Sequence, residues 1–199
     1  LDYTFPHYNP NPEALEMLHD MADTVRQTSA DFALGFDGDG DRCGVVDNEG
    51  EEIFADKMGV ILARDLAKHH KGAIFVADVK STGLYASDPE LRALGARADY
   101  WKTGHSHMKR RVHELGALAG FEKSGHYFFA PPLGRGYDCG MRVAVEICKL
   151  MDRNPEMSMA DLRRALPQTY ATPTMSPYCA DTLKYDVLAR LVAKLTKLH

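Results

Sequence analysis

The stretch Phe32-Ala33-Leu34-Gly35-Phe36-Asp37-Gly38-Asp39-Gly40-Asp41-Arg42-Cys43-Gly44-Val45-Val46-Asp47 sets two short apolar runs around an acidic, glycine-spaced centre. The outer runs, 32–36 and 43–47, are β-prone, so the centre is expected to be a loop between two strands. Asp37, Asp39 and Asp41 stand at alternate positions and put oxygen atoms on one side of a tight loop, where like charges repel unless a cation joins them. Three such oxygens fill about half of the roughly six positions around magnesium, leaving the rest to water or a phosphate. A site left incomplete in this way suits phosphoryl transfer. The bland alternative is a solvated acidic turn. A calcium-binding EF-hand loop does not fit, because the twelfth position counted from Asp37 is Asn48 rather than glutamate and the flanks read as strands. Arg42 either grips a phosphate with its planar fork or pairs with one of the aspartates.

Upstream of the loop, Asn11-Pro12 reads as a helix start, and Leu15, Leu18, Met21, Ala22 and Val25 recur at helical spacing, predicting a helix over 12–27. Downstream, Asn48-Glu49-Gly50 is a turn, and a change of composition there places a domain boundary at residue 51. Helices near 55–69, 83–95 and 105–115 then alternate with strands at 73–78, 97–100, 117–121 and 126–130, and a helix follows over 138–151. That alternation implies an α/β fold, a mixed sheet layered with helices. The second unit is expected to close near 165, with a proline-spotted linker over 166–178 and one further helix over 182–199.

Composition narrows the function classes. The chain has 199 residues, 45% of them hydrophobic, enough for a real core. A net charge of −4 with no block of one sign argues against a nucleic-acid or membrane-surface partner and favours a small polar ligand. Cys43, Cys139, Cys148 and Cys179 form no CxxC pair and read as reduced thiols of a cytoplasmic protein. No run approaches the roughly 18 to 20 apolar residues of a membrane helix. A chain that starts at Leu1 and ends inside a helical pattern reads as a piece of something longer.

The loop Gly35-Phe36-Asp37-Gly38-Asp39-Gly40-Asp41-Arg42 is followed, in order, by Asp78-Val79-Lys80-Ser81-Thr82, by Lys102-Thr103-Gly104-His105-Ser106-His107-Met108-Lys109, and by Phe121-Glu122-Lys123-Ser124-Gly125-His126-Tyr127-Phe128-Phe129. With these four segments together the chain closely resembles the α-D-phosphohexomutases of the phosphomannomutase/phosphoglucomutase kind. The resemblance covers essentially the whole chain. It implies that residues 1–51 end domain two and carry the metal loop, that 52–165 are domain three with the sugar-recognition loop, and that 166–199 are a linker and the first helix of domain four. The phosphorylated serine would lie in domain one and the main phosphate-clamping loop in domain four; neither motif occurs in this sequence, so the piece alone is expected to be inactive.

The resemblance further implies that Asp37, Asp39 and Asp41 bind Mg2+, that Glu122, Ser124 and His126 contact the sugar, and that Lys80, His105 and Arg42 approach the substrate. The chemistry of the residues agrees: a carboxylate accepts from two neighbouring hydroxyls, a serine adds a third contact, and Gly125 lets the backbone approach. His126 and Lys80 are the expected acid and base, with His105 as another candidate. Hexose phosphates and a hexose 1,6-bisphosphate would be the ligands. Many relatives have glycine where Phe121 stands, and its ring is expected to crowd the following loop. Lys109, Arg110 and Arg111 read as a solvated helix face, His105, His107 and His113 lack the spacing of a zinc site, and Trp101 and Tyr127-Phe128-Phe129 read as core. The competing readings are a phosphoglucosamine mutase, a non-catalytic sugar-phosphate or metal-binding module, and a haloacid-type phosphatase, whose aspartates would have other flanks.

Overall fold

The computed structural model describes residues 4–172 and 177–197. They divide into two compact units, Leu1–Thr169 and Tyr170–His199. The first unit begins with α1 (Leu15–Thr28), whose Met17, Leu18, Met21, Ala22 and Val25 are buried on a small antiparallel sheet. That sheet runs β1 (Phe32–Phe36), β2 (Cys43–Asp47), β3 (Glu52–Ile53), in that order. The helix starts later than its sequence pattern predicts because Asn11 first makes a turn. Its carbonyl accepts from the Ala14 N–H at 2.8 Å and its side-chain oxygen from the Glu13 N–H at 3.1 Å. Leu15 is consequently exposed, and Met17 takes the buried place. Gly35 lets this helix lie close on the strand, since a Cβ there would sit 2.4 Å from the Met17 methyl.

The second sheet has β4 (Ile74–Asp78) at its centre, with β5 (Arg97–Trp101) and β6 (Ala119–Phe121) parallel on either side and β7 (Tyr127–Phe129) antiparallel beyond β6. Parallel neighbours need crossover connections. These are α3 (Leu84–Ser87) with α4 (Pro89–Ala93) between β4 and β5, and α5 (His105–Leu115) between β5 and β6. Alternating side chains separate the faces: Phe75, Ala77, Phe121, Tyr127 and Phe129 pack with α2 (Ala55–His69), whereas Val76 and Phe128 pack with Met108 and Val112 of α5. The result is a mixed sheet between helical layers. α6 (Gly140–Arg153) and α7 (Met159–Arg164) complete the layer containing α2. Cys43 and Val45 of the first sheet share a core with Phe75 and Phe121 of the second.

The predicted 83–95 helix is broken at Asp88. Its buried carboxylate accepts from the Leu91 N–H at 3.0 Å and caps a new helix that opens on Pro89, and Arg64 clasps the same carboxylate. Phe121 corrects another expectation. Its ring is fully buried, with centroids 5.5 Å from Tyr85 and 5.8 Å from Tyr127, and so faces the core rather than the loop after it.

α7 is held by a capping box, Ser158 Oγ accepting from the Asp161 N–H at 3.1 Å while the Asp161 carboxylate accepts from the Ser158 N–H at 3.0 Å. The Ser158 hydroxyl and amide, with Arg164, hold the Asp161 carboxyl down at about 2, against 3.8 for a free aspartate. A depressed carboxyl stabilises the fold fully above its unfolded value, and the contribution disappears as pH falls toward the folded one. Replacing Asp161 by Asn is therefore expected to lower the melting temperature at pH 6 and to lower it much less near pH 2, a comparison that thermal melts across that range decide.

In the second unit α8 (Lys184–Leu195) buries none of its residues, and Leu188, Leu191, Val192 and Leu195 are exposed. Residues 173–176 of the expected linker and 198–199 of the expected helix lie outside the described residues. No helix among the described residues is long and apolar enough to cross a membrane.

Candidate active-site edge

Because β4, β5 and β6 run parallel, the loops that follow them leave the same edge of the sheet. Those loops carry Lys80, His105 and the group Glu122, Ser124 and His126. The aspartate loop between β1 and β2 is joined to this edge by backbone contacts. Arg42 and His126 form an antiparallel bridge, the Cys43 N–H donates to the Gly125 carbonyl at 3.1 Å, and the Gly140 N–H donates to the Gly40 carbonyl at 2.9 Å. Gly125, at a φ of +97°, adopts backbone geometry that favours glycine and comes close to Cys43.

Each of Asp37, Asp39 and Asp41 offers a carboxylate oxygen to a group whose members lie within 4.8 Å of one another. Octahedral Mg2+ holds oxygens about 2.9 Å apart when adjacent and about 4.2 Å when opposite, so the trio fits after small side-chain adjustments. Arg42 fixes the first member: its N–H donates to Asp37 Oδ1 at 3.1 Å and its Nε–H to Oδ2 at 2.5 Å, while its Nη1 donates to Asn11 at 3.0 Å. Burial opposes the charge on Asp37, but these bonds outweigh it and hold the carboxyl below the ordinary aspartate range. Asp41 moves the other way, raised by burial and by Asp37, Asp39 and Asp138 around it. Like charges gather here in spite of the Arg42 pair, and that crowding of carboxylates is the electrostatic character of a cation site.

Glu122 is only 2% exposed. Its Oε1 accepts from the Gly104 N–H at 2.6 Å, and its Oε2 faces the Ser124 hydroxyl and His126 Nδ1, each at 3.3 Å. Ser124 Oγ lies 2.9 Å from the same Nδ1, and His126 Nε2 lies 3.4 Å from Asp41 Oδ1. Burial raises the Glu122 carboxyl, yet His126, Gly104 and Ser124 bring it below its usual value. Burial likewise disfavours protonated His126, and the Glu122 bond with the Asp41, Glu122 and Asp138 charges outweighs it, leaving the imidazole raised. His126 thus joins the two loops, one ring nitrogen toward each.

The other expected residues are placed less tightly. Lys80 and His105 are exposed on the shared edge, and neither makes a hydrogen bond or ion pair with the aspartates or with Glu122; His105 Nε2 is 3.5 Å from Ser106 Oγ. The solvated face expected for Lys109 and Arg111 is corrected, because Lys109 pairs with Asp138 at 2.9 Å and Arg111 with Asp99 at 2.7 Å, its guanidinium lying 4.2 Å from the centre of the Trp101 ring. Arg42 takes the second of its two readings, the pair with an aspartate. Asp138 is a member of the site that the sequence pattern concealed: with Asp41 and His126 it forms a second group within 4.8 Å. Its Asp-Cys-Gly setting before a helix resembled a helix start, and the helix begins only at Gly140.

A mixed, helix-layered sheet that carries an aspartate loop bridged to a carboxylate–serine–histidine loop puts the chain in the class of α-D-phosphohexomutases. Within that class it belongs to the phosphoglucomutase/phosphomannomutase family, matching alpha/beta/alpha domain III over residues 54–170 and alpha/beta/alpha domain II over residues 1–50. It is 36% identical over 191 residues to the phosphomannomutase/phosphoglucomutase of Pseudomonas syringae pv. tomato, covering 96% of this chain and 40% of that protein. It is 34% identical to a phosphoglucomutase of Neisseria meningitidis serogroup A, covering 88% of this chain and 37% of the other. A crystal structure of a phosphoglucomutase/phosphomannomutase family protein from Burkholderia thailandensis superposes with a TM-score of 0.76 at 33% identity, over 87% of this chain and 37% of that one. The chain thus spans about 40% of the length of the curated relatives it matches.

Proposed function

We propose that this chain is a segment of a cytoplasmic phosphohexomutase that interconverts hexose 1-phosphates and hexose 6-phosphates of mannose or glucose, through a phosphoserine enzyme and a hexose 1,6-bisphosphate. The observation that carries the reading is the bridge between Arg42 and His126, which sets a cation loop directly against a sugar-binding loop. Residues 1–51 would complete domain two, 52–165 form domain three, and 166–199 supply a linker and the first helix of domain four; domain one and the rest of domain four would belong to the remainder of the parent chain.

Asp37, Asp39 and Asp41 would hold Mg2+, which when bound offsets negative charge on the transferring phosphoryl group. Glu122 and Ser124 would grip neighbouring sugar hydroxyls through lone pairs that their internal partners leave free. Two adjacent hydroxyls exchange places when the sugar turns round, so one pair of protein groups serves both orientations. His126 and Lys80 would move the proton of the accepting hydroxyl as its oxygen bonds to phosphorus and the serine oxygen leaves. Lys80, His105 and Arg42 would complete the phosphate and sugar contacts.

Full-length parent enzyme incubated with mannose, glucose and glucosamine 1-phosphates is expected to convert the first two, and His126→Ala to lose at least about 100-fold in kcat/KM. Turnover of the glucosamine ester alone would point to a phosphoglucosamine mutase, and an unchanged pH profile in His126→Ala would remove the histidine from proton transfer. The chain by itself is expected to bind Mg2+ no more tightly than about millimolar, because about half the shell is left to water. Titration calorimetry giving a micromolar constant would contradict that.

A further inference from the structure

We infer that Asp78 is the positioning residue that holds all three substrate loops of the second sheet in register, an inference that rests on the proposed function for its consequence but on geometry for its content. Asp78 ends β4, the strand between β5 and β6, and is 0% exposed. Its Oδ1 accepts from Ser81 Oγ at 2.5 Å and from the Lys123 N–H at 3.2 Å, and its Oδ2 accepts from Thr103 Oγ1 at 2.9 Å. One donor comes from each loop. Ser81 follows Lys80, Thr103 stands two residues before His105, and Lys123 lies between Glu122 and Ser124.

The pattern of donors explains why a carboxylate occupies this position. A buried carboxylate is acceptor on both oxygens, and hydrogen bonds to it are stronger than those to a neutral group. Asparagine would supply one oxygen and turn its amide toward the remaining loop. Around this hub the loops are tied to one another: the Val79 N–H donates to the Trp101 carbonyl at 2.9 Å, and the Gly104 N–H to Glu122 at 2.6 Å. Asp78 makes no hydrogen bond or ion pair with Lys80, His105, Glu122, Ser124 or His126. It acts through the three loops that carry them, and removing an arm displaces groups that a sugar phosphate must meet together; misplacement of about 1 Å costs on the order of 100-fold in rate.

Replacing Asp78 outright endangers folding, so the arms are tested singly. Thr103→Val keeps shape and loses the hydroxyl, Thr103→Ser keeps the hydroxyl, and Ser81→Ala removes the arm beside Lys80. In this chain, hydrogen exchange resolved by residue is expected to quicken by about tenfold in Thr103→Val at 79–82, 102–105 and 122–126 together, while amides of β4 and α2 stay protected. Thr103→Ser is expected to restore protection. In the full-length enzyme, Thr103→Val is expected to lower kcat/KM about 100-fold, with Thr103→Ser near wild type. Because both arms end on one carboxylate, Ser81→Ala with Thr103→Val is expected to cost less than the product of the single losses. Exchange that quickens only in the loop mutated, or losses that multiply, would overturn the hub. An inactive wild-type parent would instead refute the mutase reading and leave the exchange result to decide the hub by itself.

Discussion

Glu122→Ala is expected to destabilise the chain by about 2 to 3 kcal/mol and to remove nearly all mutase turnover from the full-length enzyme. The structural loss comes first. Glu122 is 2% exposed and its carboxylate is the partner of the Gly104 N–H at 2.6 Å, so alanine leaves a part-buried donor without an acceptor at the start of α5. The same truncation releases Ser124 and His126, which the second oxygen faces. The charge pair with His126 also gives the effect a pH signature. The Glu122 carboxyl is lowered, so its contribution is full above its unfolded value near 4.5 and is lost as pH falls through the folded one. The His126 imidazole is raised, so its contribution is full below 6.5 and is lost as pH rises through the folded value. Both are complete only between 4.5 and 6.5, and there the stability gap between wild type and Glu122→Gln is expected to be widest. Urea titrations in chelator at pH 3, 5.5 and 9 measure it. A gap of equal size at all three would show that the pair carries no net charge interaction.

Much of this architecture is legible in the sequence because it is set by neighbours in the chain. The hairpin around the aspartates declares itself through two apolar runs and a glycine-rich turn, and α5 through a glycine at each end and Met108 and Val112 on one face. What escapes is the short or the interrupted. β3 is two residues long and exists because Val45 and Val46 offer an open edge. α7 is six residues long, and its capping box uses Asp161 where glutamate or glutamine is usual. The break at Asp88-Pro89 was written in plain residues, an N-cap followed by proline, but the surrounding Leu84, Tyr85 and Leu91 continue a helical pattern through it.

The candidate site divides along the same line. Asp37, Asp39, Asp41, Glu122, Ser124 and His126 lie in two short segments whose residue types state their chemistry. Asp78 and Asp138 do not. Their partners are reached across parallel strands and between sheets, 25 residues to Thr103 and 45 to Lys123 in the first case. A lone buried aspartate at a strand end has no local pattern to distinguish it, and only strand order brings the three loops to it. The fate of Phe121 follows the same logic. Adjacency in the chain puts its ring beside the loop, whereas alternation along β6 sends it to the opposite side from Gly120 and into the aromatic core.

Gly140→Ala is the second change expected to have a large effect, and it tests the seam between the two sheets. An added Cβ would lie 2.7 Å from the Gly40 carbonyl oxygen, 2.8 Å from that of Arg42 and 2.9 Å from a Phe36 ring carbon. Two of these are backbone atoms of the aspartate loop, so relief requires the loop and the start of α6 to separate, and the Gly140 N–H to Gly40 bond at 2.9 Å goes with them. Overpacking of this kind costs about 1 to 3 kcal/mol, and loss of the hydrogen bond adds about 1. Gly83→Ala is the control: open space surrounds it at a φ of −65°, so it is expected to change stability by less than about 1 kcal/mol. The loop displacement also separates Arg42 from His126, and the full-length enzyme carrying Gly140→Ala is expected to need several-fold more Mg2+ for half-maximal activity while Gly83→Ala is unaffected. Equal unfolding midpoints and equal Mg2+ requirements for the two variants would mean that the aspartate loop keeps its place without α6, and that the closeness of Gly40 to Gly140 has no bearing on cation binding.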